Sequence, residues 1–70
     1  MSVLKINGKD KKFEEDKMPA TLADLLQLLK VDSATVVAEL DGLIIERANF
    51  AATFLKDGQS LELIRFVPGG

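Results

Sequence analysis

The group best placed for chemistry in this sequence is the carboxylate of Gly70. It follows the apolar run Ile64-Arg65-Phe66-Val67 through Pro68 and Gly69. A Gly-Gly tail has no side chains, so it can thread a narrow channel and take φ values barred to other residues. It could present a carboxylate inside another protein's active site. A carboxylate is a poor acyl donor until it is activated, typically as an acyl-adenylate. The tail therefore suits a protein that is itself a substrate. Composition alone makes Gly-Gly at a given pair of positions roughly a one-in-two-hundred event. The pair is thus a weak signal by itself, and an ordinary frayed terminus competes with it.

Other chemistry is poorly supplied. The chain has neither Cys nor His, so it lacks a thiolate nucleophile, a thiolate metal site and the usual neutral-pH base. Ser2, Ser33 and Ser60 have no His to activate them. Glu14, Glu15 and Asp16 are consecutive, hence splayed rather than convergent, and read as a solvated loop. Glu39 and Glu62 could face one another across strands, an ordinary place for surface acids. No catalytic residue, metal ligand or bound cofactor is expected, and the chain is not read as an enzyme. The net charge of −2 argues against a nucleic-acid partner. No apolar run reaches the roughly 20 residues of a membrane span, and MSVLKING lacks a signal-peptide core. A cytoplasmic protein without a membrane partner is expected.

Few elements are available to position the tail, because 70 residues make one small domain. At 47% hydrophobic content the chain is expected to fold rather than stay disordered. Residues 2–7 alternate, with Leu4 and Ile6 on one face, and lead into Asn7-Gly8, the strongest short hairpin signal. A second strand over 9–13 carries Lys9, Asp10, Lys11 and Lys12, as an edge strand would. A helix is expected over 21–30. Thr21 is its N-cap, Asp24 stands at the third position, Leu22, Leu25, Leu26 and Leu29 form one buried stripe, and Lys30 sits at the C-terminal dipole. Residues 35–40 and 43–45 flank Asp41-Gly42 as a second hairpin. Phe50, Phe54 and Leu55 suggest a short helical turn packing onto the core. Asp57-Gly58 is a further turn, and a last strand runs over 61–67.

The order β, β, α, β, β, short helix, β predicts an α+β fold. It is a ubiquitin-like β-grasp, a mixed five-stranded sheet covered on one face by one main helix. The helix would make a right-handed crossover if the first and third strands lie parallel. Residues 1–67 form the domain and 68–70 a flexible tail. In the last strand Leu61 and Leu63 share one face, with Glu62, Ile64 and Phe66 on the other. Ile64 and Phe66, with Ile44 or Ile45, would then form an exposed apolar patch for a partner. A shift of one residue would turn them into core instead. Arg47 could meet a partner's acids, or be a solvated surface cation.

The second half of the chain resembles the thiamine-biosynthesis sulfur carrier family, ThiS. The matching pieces are Val37-Ala38-Glu39-Leu40-Asp41-Gly42, Ile44-Ile45-Glu46-Arg47, Leu55-Lys56-Asp57-Gly58 and Phe66-Val67-Pro68-Gly69-Gly70. Leu4-Lys5-Ile6-Asn7-Gly8-Lys9 and the leucine helix also fit. Three positions depart from the family's pattern: Glu46 where Pro is common, Gln59 where Asp is usual, and Pro68 where Gly or Ala is frequent.

The resemblance implies a cycle run by partners. A ubiquitin-activating-like (ThiF-like) enzyme uses ATP and Mg²⁺ to adenylate Gly70. A persulfide donor converts the adenylate to a thiocarboxylate, and a thiazole synthase (ThiG-like) takes the sulfur. The molybdopterin-synthase small subunit (MoaD family) and cysteine-biosynthesis carriers share tail and fold, and remain alternatives. So do a ubiquitin-like protein modifier and a β-grasp module with an inert tail.

Overall fold

The computed structural model describes residues 1–66. Five strands form one sheet: β1 (Ser2–Ile6), β2 (Lys9–Phe13), β3 (Val36–Leu40), β4 (Leu43–Ile45) and β5 (Ser60–Arg65). Their order across the sheet is β2-β1-β5-β3-β4. One helix, α1 (Leu22–Leu28), and two 3-10 segments, Ser33–Thr35 and Arg47–Ala52, complete the elements of the described residues. This is the mixed five-stranded β-grasp expected from the order of elements.

Both hairpins turn where the dipeptides predict. Asn7 and Gly8 have φ of 51° and 81°, and Asp41 and Gly42 have φ of 48° and 86°. Two successive positive φ values define the turn whose twist matches that of paired strands. The crossover differs from the expectation. The parallel pair is β1 with β5, while β3 runs antiparallel to β5. The last strand inserts between β1 and β3, so β3 runs opposite to β1, and α1 instead joins the parallel strands β2 and β3.

Helix α1 starts as its cap dictates. The Thr21 hydroxyl oxygen accepts from the Asp24 N–H at 3.1 Å. Leu22, Leu25 and Leu26 are buried, and Leu29 packs against the core just past the last turn. They meet Leu4, Phe13, Val36, Ala38, Leu40, Phe50, Leu55 and Leu61. The C-terminus is shorter than expected. Lys30 does not end the helix but follows its C-cap, with φ of 58°. There the Lys30 N–H bonds the Gln27 carbonyl at 3.1 Å and the Val31 N–H bonds the Leu26 carbonyl at 2.9 Å. That pair of bonds is the Schellman ending, with lysine where glycine is usual.

A further correction concerns Phe54. Phe50 and Leu55 are buried as expected, but Phe54 is 68% exposed. Residues 53–55 are extended rather than helical at this point. Phe54 bridges Thr21 in antiparallel fashion, fixed by Leu22 N–H to the Thr53 carbonyl and Leu55 N–H to the Ala20 carbonyl, both at 2.9 Å. An extended backbone sends neighbouring side chains to opposite sides, so burying Leu55 turns Phe54 outward.

Candidate functional site

Residues 67–70 follow β5 closely in the chain, so the site begins with the contacts that hold that strand. On one side β5 pairs with β3 along its length, with Ile64 opposite Val37 and Glu62 opposite Glu39. The two acids do face one another, as their alternation allows. The Asp41 side chain accepts from the Ser60 N–H at 2.8 Å at the start of the strand. At its far end the Phe66 N–H bonds the Thr35 carbonyl at 2.9 Å. On the other side, Lys5 and Ile6 of β1 pair with Ser60 and Leu61. Asn7 then turns the chain away and uses its side-chain oxygen to accept from the Leu63 N–H at 2.7 Å.

The turn before β5 is held by side chains as well. Asp57 accepts from the Val3 N–H at 2.6 Å, and Gly58 N–H bonds the Val3 carbonyl at 2.8 Å. Gln59, one of the positions that depart from the family's pattern, closes this turn by accepting from the Lys56 N–H at 2.6 Å. A longer side chain than aspartate's still finds a local donor there.

The sheet face away from α1 carries the apolar residues. Leu61 is buried and Leu63 packs against the core, while Ile64 and Phe66 are 56% and 46% exposed. The strand register therefore puts Ile64 and Phe66 outward. Ile44 joins them, being 70% exposed and paired with outward-facing Glu39. Ile45 does not share that face. It pairs with buried Ala38 and packs, half-buried, against the core. At the end of the sheet where β3 begins, Ile45, Arg47 and Phe66 border one open hollow of about 370 Å³, with Val37 and Ile44. Ile64 lies beside it on the outer face. Pro68, Gly69 and Gly70 lie outside the described residues, as does Val67.

Among the described residues no group of three His, Cys, Asp or Glu is placed to hold a metal. No helix among them is long and apolar enough to cross a membrane. The described geometry offers a strand end flanked by a shallow apolar hollow that the Arg47 side chain borders. Such a surface can be gripped by a partner that works on the chain beyond Phe66.

Comparison with known proteins places the chain in a family. The chain is 32% identical to the sulfur carrier protein ThiS of Bacillus subtilis over 68 residues, 97% of this chain and all of that one. It is also 34% identical over 67 residues to a thiazole synthase of Paramagnetospirillum magneticum, of which the match covers only 20%. A crystal structure of the thiamine biosynthesis protein ThiS from Geobacter metallireducens superposes with a TM-score of 0.80 at 37% identity, covering 97% of this chain and 99% of that one. An NMR structure of a thiamine biosynthesis protein from the same organism gives 0.76 at 37% identity, with coverages of 100% and 88%. The ThiS family model matches residues 4–70, so the chain belongs to the ThiS family.

Proposed function

We propose that this chain is a sulfur carrier for the thiazole ring of thiamine and holds the sulfur as a thiocarboxylate on Gly70. The observation that carries the reading is end-to-end similarity to a protein named as a sulfur carrier, with the family match running through Gly69 and Gly70. The chain is a substrate of other enzymes, not a catalyst.

The chemistry divides between partners. A ThiF-like adenylating enzyme joins the Gly70 carboxylate to AMP from ATP, with Mg²⁺, and releases pyrophosphate. The terminal sulfur of a persulfide donor displaces AMP, giving an acyl persulfide. A thiol then cleaves its S–S bond, leaving the thiocarboxylate on Gly70 and a disulfide on the donor side. The thiocarboxylate gives its sulfur to a ThiG-like thiazole synthase. A segment similar to this chain occupies a fifth of a thiazole synthase, which supports that partner. Ile64, Phe66, Ile45 and Arg47, with Ile44, form the surface that both enzymes grip, while Pro68 and Gly69 lead Gly70 into their active sites. The cycle runs in the cytoplasm, where ATP and persulfide donors are available.

The test is mass spectrometry of the C-terminal peptide after incubation with ATP, Mg²⁺, the adenylating enzyme and a persulfide source. Sulfur for oxygen adds nearly the mass of one methionine oxidation, and Met1 and Met18 are both present. The product is therefore trapped by alkylation. An alkylated thiocarboxylate at Gly70, lost when Gly70 is deleted, is expected. An active adenylating enzyme that leaves the folded chain unmodified overturns the reading. Gly70 linked to target lysines would make the chain a modifier, and sulfur passed to a molybdopterin or cysteine enzyme would change the pathway.

A further inference from the structure

Strand β5 pairs with β1 only at Ser60 and Leu61, while it pairs with β3 from Leu61 to Arg65. Toward β1, the Lys5 N–H bonds the Gln59 carbonyl at 3.0 Å and the Asn7 N–H bonds the Leu61 carbonyl at 2.9 Å. The chain then turns, and the Asn7 side chain takes the Leu63 N–H. Toward β3, bonds run from Asp41 N–H to the Ser60 carbonyl at 2.8 Å and from Phe66 N–H to the Thr35 carbonyl at 2.9 Å. Main-chain groups alternate sides along a strand, so even-numbered residues of β5 face β3 and odd-numbered ones face away. Leu63 and Arg65 are odd-numbered. Among the described residues, the Leu63 carbonyl and both main-chain groups of Arg65 therefore have no backbone partner.

We infer that this open flank of β5 is a strand-addition site for an extended segment of the adenylating enzyme, with an acidic side chain set against Arg65. The inference deepens the carrier reading and rests on it. A row of unpaired N–H and C=O groups is a template for another strand. This row lies on the strand that immediately precedes, in sequence, the residues on which the adenylating enzyme acts. The exposed Arg65 guanidinium selects a carboxylate on the added segment. A second copy of this chain is a poor occupant. Its β2 edge carries Lys9, Lys11 and Lys12, which repel Arg65, and its β4 edge is three residues long.

The main-chain contact can be removed separately from the side chain. Arg65→Pro deletes an N–H that points away from β3, and proline is tolerated where that group faces solvent. Arg65→Ala removes only the charge. Dissociation constants with the adenylating enzyme are measured for both, beside amide exchange of wild-type Arg65 alone and in the complex. Arg65→Pro is expected to bind about tenfold more weakly than Arg65→Ala, the loss of roughly one hydrogen bond. The Arg65 amide is expected to exchange freely alone and to be protected in the complex. Equal binding by the two variants, or an amide that stays unprotected in the complex, overturns the inference while adenylation of Gly70 leaves the carrier reading standing. If Arg65→Pro does not fold, wild-type exchange decides alone. Protection that rises with concentration of the free chain assigns the flank to self-association and overturns it. A wild-type chain that is never adenylated overturns the carrier reading and this inference together.

Discussion

Asn7 does two things that few residues can do together. Its backbone takes φ of 51°, which costs most L-residues about 1 kcal/mol or more, and its side chain supplies the rung that β1 stops providing. Two substitutions separate these roles. Asn7→Gly keeps the turn and loses the acceptor, and is expected to cost about 1 kcal/mol. Asn7→Ala loses both, at about 2 kcal/mol. Urea unfolding gives the two values, and faster exchange of the Leu63 amide in both variants identifies the missing bond. Equal stability of Asn7→Gly and wild type would show that the rung contributes nothing. Asp41 repeats the device at the other hairpin, where its side chain accepts from the Ser60 N–H. Two turn residues thus hold opposite flanks of the strand that leads to the tail.

At the scale of the element, α1 is a seven-residue helix, too short to be stable alone. It persists because Thr21 caps one end, a Schellman pair closes the other, and Leu22, Leu25 and Leu26 are buried. Lys30 is its weak point, holding a left-handed conformation at the closing position. Lys30→Gly is expected to stabilise the protein by roughly 0.5–1 kcal/mol, or about 4 °C in Tm by calorimetry. A fall in Tm would mean that the Lys30 side chain contributes more than its backbone strain removes. The charge of Lys30 suits the helix dipole, which is the role its position in the sequence suggests, yet its backbone lies outside the helix.

At the scale of the whole molecule, the sheet divides the protein into two faces with different duties. One is covered by α1 and the second 3-10 segment and contains Leu4, Leu22, Leu25, Leu26 and Leu61, all buried. The other leaves Val37, Ile44 and Ile64 in solvent beside the tail's root. Ile44→Thr and Ile64→Thr are expected to leave folding stability within about 0.5 kcal/mol, because exposed sites carry little packing. The same changes are expected to weaken binding to the adenylating enzyme or the thiazole synthase about tenfold, as loss of a central apolar anchor does. Unfolding curves and titration calorimetry on one set of variants check both halves. Unchanged affinity for both enzymes would remove this face from the docking surface.

Local signals determined most of the fold. Asn7-Gly8 and Asp41-Gly42 set the hairpins because few other residues tolerate two positive φ values in succession. The leucines of α1 set a buried stripe because their spacing matches the helical repeat. The alternation in β5 put Leu61 and Ile64 on opposite faces, as the pleat requires, while the packing of the sheet on α1 decided that Leu61 is the inward one. The motif resemblance through Gly69 and Gly70 identified the family. Tertiary structure decided the features that depend on residues distant in the chain. Phe54 faces outward because Thr53 and Leu55 bond to the start of α1, a pairing between distant segments that no local spacing encodes. Ile44 rather than Ile45 joins the outer face because the register against Glu39 and Ala38, not hydrophobicity, selects which side chain turns inward. The parallel pair is β1 with β5 because the last strand lies in the middle of the sheet, between two hairpins far from it in the chain. The open flank of β5 follows from its register, since only Lys5 and Ile6 of β1 pair with it before the chain turns away at Asn7-Gly8, short of Leu63 and Arg65.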